Sequence, residues 1–210
     1  MAIDEVFDEH EQGERVRAWL RRNGIGIVFG IVLGLGIVGG WRWWQGESQA
    51  RRAAAGDQYG ALQATLAAGD LDKAATEAKA LGAGSYGPLA ALQLARAQLE
   101  AGKRDEAIAT LRAVDGRDPA VAAVARQRLA RLLVDAGQAK EAVELMAAAD
   151  DPVGLEVLGD ARVAAGDRDA ARAAYERALS QLDVAAPQRT LLEIKLMDAG
   201  GVPARPEARS

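Results

Sequence analysis

Glu156 and Asp160 stand four residues apart, so on a helix their carboxylates share one face a single turn apart. Carboxylates paired in this way can exchange protons in glycoside cleavage or hold a hard cation. No glycine-rich turn, pocket-forming loop or third ligand accompanies them, which argues against either chemistry. The single histidine, His10, lies among Asp8, Glu9 and Glu11 and reads as a solvated tail residue rather than a metal ligand or the base of a nucleophile relay. Cysteine is absent, which removes thiolate nucleophiles, disulfides and cysteine zinc sites. The serines and threonines sit in no nucleophile-elbow or phosphate-loop context. The sequence therefore assigns no catalytic, cofactor-binding or metal-binding residue, and no enzyme is expected.

Two further pairs have the same spacing of four, Leu92 with Arg96 and Gln127 with Arg131. Together with Glu156 and Asp160 they would form a graded surface, apolar, then basic, then acidic, suited to a protein partner. The plainer reading is a solvated face whose arginines pair with neighbouring acids for less than about 1 kcal/mol each. With 26 basic residues against 30 acidic ones, and no lysine or arginine block long enough to track a phosphate backbone, nucleic acid is not an expected partner.

The elements that would position these pairs are repeats. The 210 residues amount to about 1.4 domains at about 150 residues each, and half of them are apolar. After Gln45 the sequence becomes alanine-rich and laced with charge, and a short pattern recurs four times: AGDLDKA, AGKRDEA, AGQAKEA and AGDRDAA. Its glycines fall at 69, 102, 137 and 166, spaced by 33, 35 and 29 residues. That period predicts a tetratricopeptide-like array of helix pairs, each pair burying against the next what it cannot bury alone. Each glycine should end one helix in a left-handed turn, and Asp70 and Asp167 should cap the next.

Ala74, Ala107, Ala142 and Ala171 should mark the closest helix approaches, with Leu111, Met146 and Tyr175 one turn further on. Leu94-Ala95, Leu129-Ala130 and Leu158-Gly159 supply the large-beside-small partners on the preceding helices. Pro119 and Pro152 should stop helices between units. The short last spacing should cut a second helix off near Asp150, and a terminal helix should run from Pro187 to Asp198 with the proline in its first turn. In this arrangement the three pairs fall on the inner, concave face of consecutive first helices.

Ahead of the repeats, 19 residues between Arg22 and Arg42 carry no ionisable side chain. As a helix they extend about 28 Å at about 1.5 Å per residue, close to the hydrocarbon thickness of about 30 Å. Trp41, Trp43 and Trp44, with Arg42 snorkelling among them, mark an interfacial end, so the lipid bilayer is itself an expected partner. The tail before the span is too long and too acidic for a cleavable signal peptide, which leaves an uncleaved anchor. Arg15, Arg17, Arg21 and Arg22 flank one side of the span, and Arg42, Arg51 and Arg52 follow the other. The nearness of the tail arginines, and the ease with which a long domain is translocated whatever its own charges, favour a cytoplasmic tail. Gly26, Gly30 and Gly34 repeat every four residues, as do Gly36 and Gly40, and clear helix faces for a neighbouring membrane helix. The expected organisation is a tail over 1–22, a span over 23–44, an all-α repeat domain with a capping helix over 45–200, and a disordered tail over 201–210.

Four stretches carry a family resemblance. They are the acidic tail leading to Arg17 and Trp19, the span ending GWRWW at Gly40 to Trp44, YGPLAALQLAR from Tyr86 to Arg96, and the run from Gly159 to Leu179. From about residue 3 to 198 the chain resembles the YfgM-like family of ancillary Sec translocon subunits; the residues after Gly201 do not follow that pattern. The resemblance implies a bacterial inner-membrane protein with a periplasmic repeat domain and no catalytic residues. The implied partners are the Sec translocon and a membrane-anchored periplasmic chaperone of the prolyl isomerase type, to which emerging chains are passed. The alternative is an anchored repeat scaffold for envelope or cell-wall assembly. The lysine and asparagine pair with which some tetratricopeptide domains clamp a terminal carboxylate is missing at the inner positions.

Overall fold

The computed structural model describes residues 4–82, 84–116 and 118–203, without the side chains of 4–16, 27, 31 and 48. The described residues form only helices and turns. They divide into two compact units, Met1–Ala54 and Ala55–Ser210.

The described part of the first unit lies within helix α1 (Asp4–Ala67). Its apolar stretch is long enough to cross a membrane, and none of that stretch is buried by protein. Ile25, for instance, is 88% exposed. A continuous sleeve of Ile, Val, Leu and Phe without protein cover calls for an apolar medium around it. Trp41 and Trp44 lie with ring centroids 5.4 Å apart at the end of that sleeve.

The second unit begins in the last turns of α1 and continues through α2 (Leu71–Leu81), α3 (Gly87–Glu100), α4 (Arg104–Arg112) and α5 (Pro119–Asp135). It is completed by α6 (Ala139–Met146), α7 (Pro152–Ala164), α8 (Arg168–Gln181) and α9 (Arg189–Asp198). The four recurring glycines have φ of 78°, 76°, 76° and 87°. In each turn the glycine amide and the next amide reach back to the preceding helix, as in Gly102 N to Leu99 O and Lys103 N to Gln98 O. This paired closure satisfies the carbonyls that a helix end orphans. Gly200, at φ 89°, ends α9 in the same way, with Gly201 donating to Leu196 O.

The capping aspartates act as their positions require: Asp70 accepts from Lys73 N and Asp167 from Ala170 N, both at 3.1 Å. Asp118 and Asp151 cap α5 and α7 likewise. Pro119 and Pro152 therefore start helices instead of stopping them. A proline in the first helical position gives up an amide that has no partner anyway.

Ala74, Ala107, Ala142 and Ala171 are all fully buried, and Leu111, Met146 and Tyr175 are buried with them. The core forms three clusters along the array: the end of α1 with α2 and α3, then α3 to α8, then α7 to α9. At Gly159 a Cβ would overlap the Tyr175 ring, so the small residue is required by the aromatic one across from it.

Two boundaries differ from expectation. Helix α6 ends at Met146, four residues before Asp150, because Ala149 N turns back to Met146 O and frees the strand of chain that carries the Asp151 cap. Helix α9 starts at Arg189, leaving Pro187 outside it. Arg189 sets that start: its guanidinium bonds Leu179 O and Leu182 O at the end of α8, and Glu193 one turn on. Residues 204–210, most of the expected disordered tail, lie outside the described residues, as does the His10 side chain.

Candidate functional site: the inner face of the repeats

The three sequence-selected pairs lie on α3, α5 and α7, the first helices of successive units. Extending each pair by three residues in both directions gives a face with spacing i, i+3, i+7, i+10. The face reads Leu89, Leu92, Arg96, Leu99 on α3, then Val124, Gln127, Arg131, Val134 on α5, then Val153, Glu156, Asp160, Val163 on α7.

Leu92 does not line this face. It is 8% exposed and packs with Ala95, Ala125 and Leu129, because a leucine at that position turns into the seam between α3 and α5 and gains more there than in water. The exposed apolar surface comes from residues the sequence reading did not select. Leu89, Leu99, Val124, Val153 and Val163 are each between 37% and 43% exposed. They form two apolar margins, with the charged positions between them. The signal was available in the sequence as the same helical period carried one step further each way.

Arg96 pairs with Glu100 on its own helix at 2.8 Å, both side chains largely in solvent. Gln127 Nε2 donates to Asp151 Oδ1 at 3.3 Å. Arg131 is exposed and forms no ion pair among the described residues. Of the two arginines, Arg131 therefore presents its charge openly, while Arg96 shares its charge with Glu100.

The acidic stretch is already occupied. Lys195 of α9 places Nζ 2.5 Å from Glu156 Oε1 and 2.7 Å from Asp160 Oδ2, and Tyr175 donates its hydroxyl to Asp160 Oδ1 at 2.8 Å. Burial by itself would lower the Lys195 pKa, but the hydrogen bonds to Asp160 and Glu156 outweigh it and hold the ammonium above its usual value. Burial, reinforced by the bond to Asp160, pushes the Tyr175 hydroxyl up. Both carboxylates are thus committed to fastening α9 across α7 and α8. Lys195 was legible as a residue of the terminal helix; its partners, 35 and 39 residues away, leave no local pattern. Among the described residues no group of three His, Cys, Asp or Glu side chains could hold a metal.

On α1, a Cβ at Gly26, Gly30, Gly34, Gly36 or Gly40 would meet nothing within 4 Å. Trp41, Arg42, Trp43 and Trp44 are likewise exposed.

The family described as tetratricopeptide repeat-like domain matches residues 17–201. The chain is also similar to the ancillary SecYEG translocon subunit of Escherichia coli (strain K12), 28% identical over 201 residues that cover 91% of this chain and 97% of that protein. The helix pairs, their left-handed glycine turns and the match over 17–201 together place the chain in the tetratricopeptide repeat-like domain family.

Proposed function

We propose that this protein is a membrane-tethered binding scaffold at the Sec translocon. The observation that carries the reading is the near end-to-end similarity to an ancillary SecYEG translocon subunit, which takes in the apolar helix as well as the repeats. In this reading α1 holds the chain in the inner membrane with its tail in the cytoplasm, and the repeats stand in the periplasm beside the channel. The glycine positions of α1 offer smooth faces to channel helices, and Trp41, Trp43 and Trp44 sit at the periplasmic interface.

The inner face receives a partner segment. Its apolar margins accept hydrophobic side chains, while Arg96 and Arg131 attract acidic ones between them. The open stretch is short, and short interfaces of less than about 1,200 Å² belong to transient encounters. Transience suits a helper that passes emerging chains to a membrane-anchored chaperone of the prolyl isomerase type. No catalytic step is part of this role.

Two measurements test it. Solubilised in mild detergent, the full chain should co-purify with the translocon subunits. An alkaline phosphatase fused after Trp44 should be active, and a reporter that works only in the cytoplasm should be dark at the same position. Purification without translocon subunits, or the opposite reporter pattern, would remove the proposal.

A further inference from the structure

Positive charge gathers on α1 where its apolar sleeve begins. Arg15, Arg17, Arg21 and Arg22 precede the sleeve, and between Glu14 and Glu47 the sequence has no acidic residue. Arg17, Arg21 and Arg22 are exposed, and none of the three forms an ion pair among the described residues. Arg51, Arg96, Arg112, Arg172 and Arg189, by contrast, each meet a carboxylate.

Two of the unpaired arginines share a face with a recess. Arg17, Leu20, Arg21, Gly24 and Val28 follow the spacing i, i+3, i+4, i+7, i+11 and line one open hollow of about 480 Å³. Arg17 and Arg21 are one turn apart, about 6 Å along the axis, so both guanidiniums can reach a single phosphate group. At Gly24 an added Cβ would meet nothing within 4 Å, and the missing side chain leaves a recess between Leu20 and Val28. Leu20 and Val28 are themselves 53% and 61% exposed. Over about 16 Å of helix the lining therefore passes from cationic to apolar, with no carboxylate along it.

We propose that this face of α1 seats one anionic phospholipid, with its phosphate between Arg17 and Arg21 and an acyl chain lying along the Gly24 recess to Val28. Each end of the hollow restricts the occupant. A free phosphate would satisfy the guanidiniums and leave the apolar wall bare. A zwitterionic lipid would cover the wall but bring its own ammonium among Arg17, Arg21 and Arg22. Only an amphiphile of net negative charge answers both ends, and basic residues beside a span draw such lipids from the bilayer. The inference rests on α1 crossing a bilayer and is independent of the translocon reading.

The test uses the full-length chain in a non-ionic detergent, titrated with dioleoyl phosphatidylglycerol or dioleoyl phosphatidylcholine and read by native mass spectrometry. One phosphatidylglycerol should be retained in preference to phosphatidylcholine, and millimolar glycerol 3-phosphate should not displace it. Arg17→Gln and Arg21→Gln should each weaken retention about fivefold, the ratio that corresponds to the usual attraction of one basic residue to an anionic lipid surface. Gly24→Leu fills the recess with every charge in place and should also weaken it, whereas Arg51→Gln with Arg52→Gln, beyond the other end of the sleeve, should not. Equal retention of the two lipids, or loss on the Arg51 and Arg52 change alone, overturns the proposal. Retention unchanged in Gly24→Leu overturns it too, since the lipid would then be held by diffuse charge with no seat for its chain. Displacement by glycerol 3-phosphate would make the site one for a soluble anion and likewise overturn it. Flotation of the chain with phosphatidylcholine vesicles reads the membrane span separately: a chain that floats but shows no lipid preference sinks this proposal alone, and one that does not float sinks the span with it.

Discussion

Replacing Lys195 with methionine keeps most of the side chain's volume and removes the charge that holds Glu156 and Asp160 to α9. The side chains of Lys195, Glu156 and Asp160 are 25%, 17% and 28% exposed, so the cluster is neither a surface pair nor a fully buried one. Exposed pairs contribute at most about 1 kcal/mol, whereas breaking a buried pair by removing one partner costs about 3–5 kcal/mol. Between those limits, with two carboxylates left facing each other and the Tyr175 hydroxyl shared with one of them, a loss of about 2–3 kcal/mol is expected.

The assay is urea unfolding followed by circular dichroism on a chain beginning at Gln45, compared with Arg96→Met. That control removes an ion pair that is well over half exposed and should change stability by less than about 0.5 kcal/mol. A Lys195→Met loss no larger than the control's would refute the view that α9 is fastened by this charge. A shallower transition with an unchanged midpoint would show α9 detaching separately from the array.

The pH dependence has a definite sign. Lys195 gains partners on folding and its pKa rises above 10.5, so its contribution is complete at neutral pH and is lost only as pH climbs through the higher folded value. The difference between the wild type and Lys195→Met should therefore stay flat through neutral pH and shrink above about pH 10.5. Tyr175 acts in the same direction, since its raised pKa favours the protonated hydroxyl in the folded state.

Three other substitutions follow from packing and turn geometry. Gly159→Ala should cost about 1–3 kcal/mol by overpacking against the Tyr175 ring, with the loss partly recovered by Tyr175→Leu in a thermal melt. Gly102→Ala should cost about 1 kcal/mol through backbone conformation alone, because an added Cβ meets no neighbour while φ is 76°. Ala107→Trp should destabilise the array by at least about 1–3 kcal/mol, as measured by urea midpoint, since that position is wholly buried between helices. On the functional side, Arg96→Glu with Arg131→Glu should weaken capture of a photocrosslinked periplasmic partner, and the effect should fade as salt is raised. An unchanged crosslink pattern at low salt would mean the partner does not use the inner face.

The array was legible because its signals are local. A glycine at φ near 80°, the aspartate after it and the alanine four residues beyond each act within one turn of their own position, so the recurring pattern carried the turns, caps and close contacts together. The apolar span was legible for the same reason, since hydropathy needs no partner to be read. What failed was the assignment of faces. Leu92 and Arg96 share a helix face by spacing, yet leucine rotates its bulk toward the neighbouring unit while arginine extends into water, so one residue of the pair became core and the other surface.

The acidic pair failed for a different reason, and the difference bears on how the inner face works. Nothing near Glu156 or Asp160 in the chain signals that a lysine from the terminal helix will meet both, because the contact exists only once α7, α8 and α9 are stacked. Among the described residues no further repeat covers the last unit, and α9 takes that place with Leu192 and Leu196 buried in the core and Lys195 reaching the carboxylates. Capping thus engages the acidic third of the face, and the proposed partner surface is narrowed to α3 and α5. In the proposed role, a partner segment arriving there would meet apolar margins and Arg131, with Arg96 already bonded to Glu100, so acidic residues flanked by hydrophobic ones would suit it.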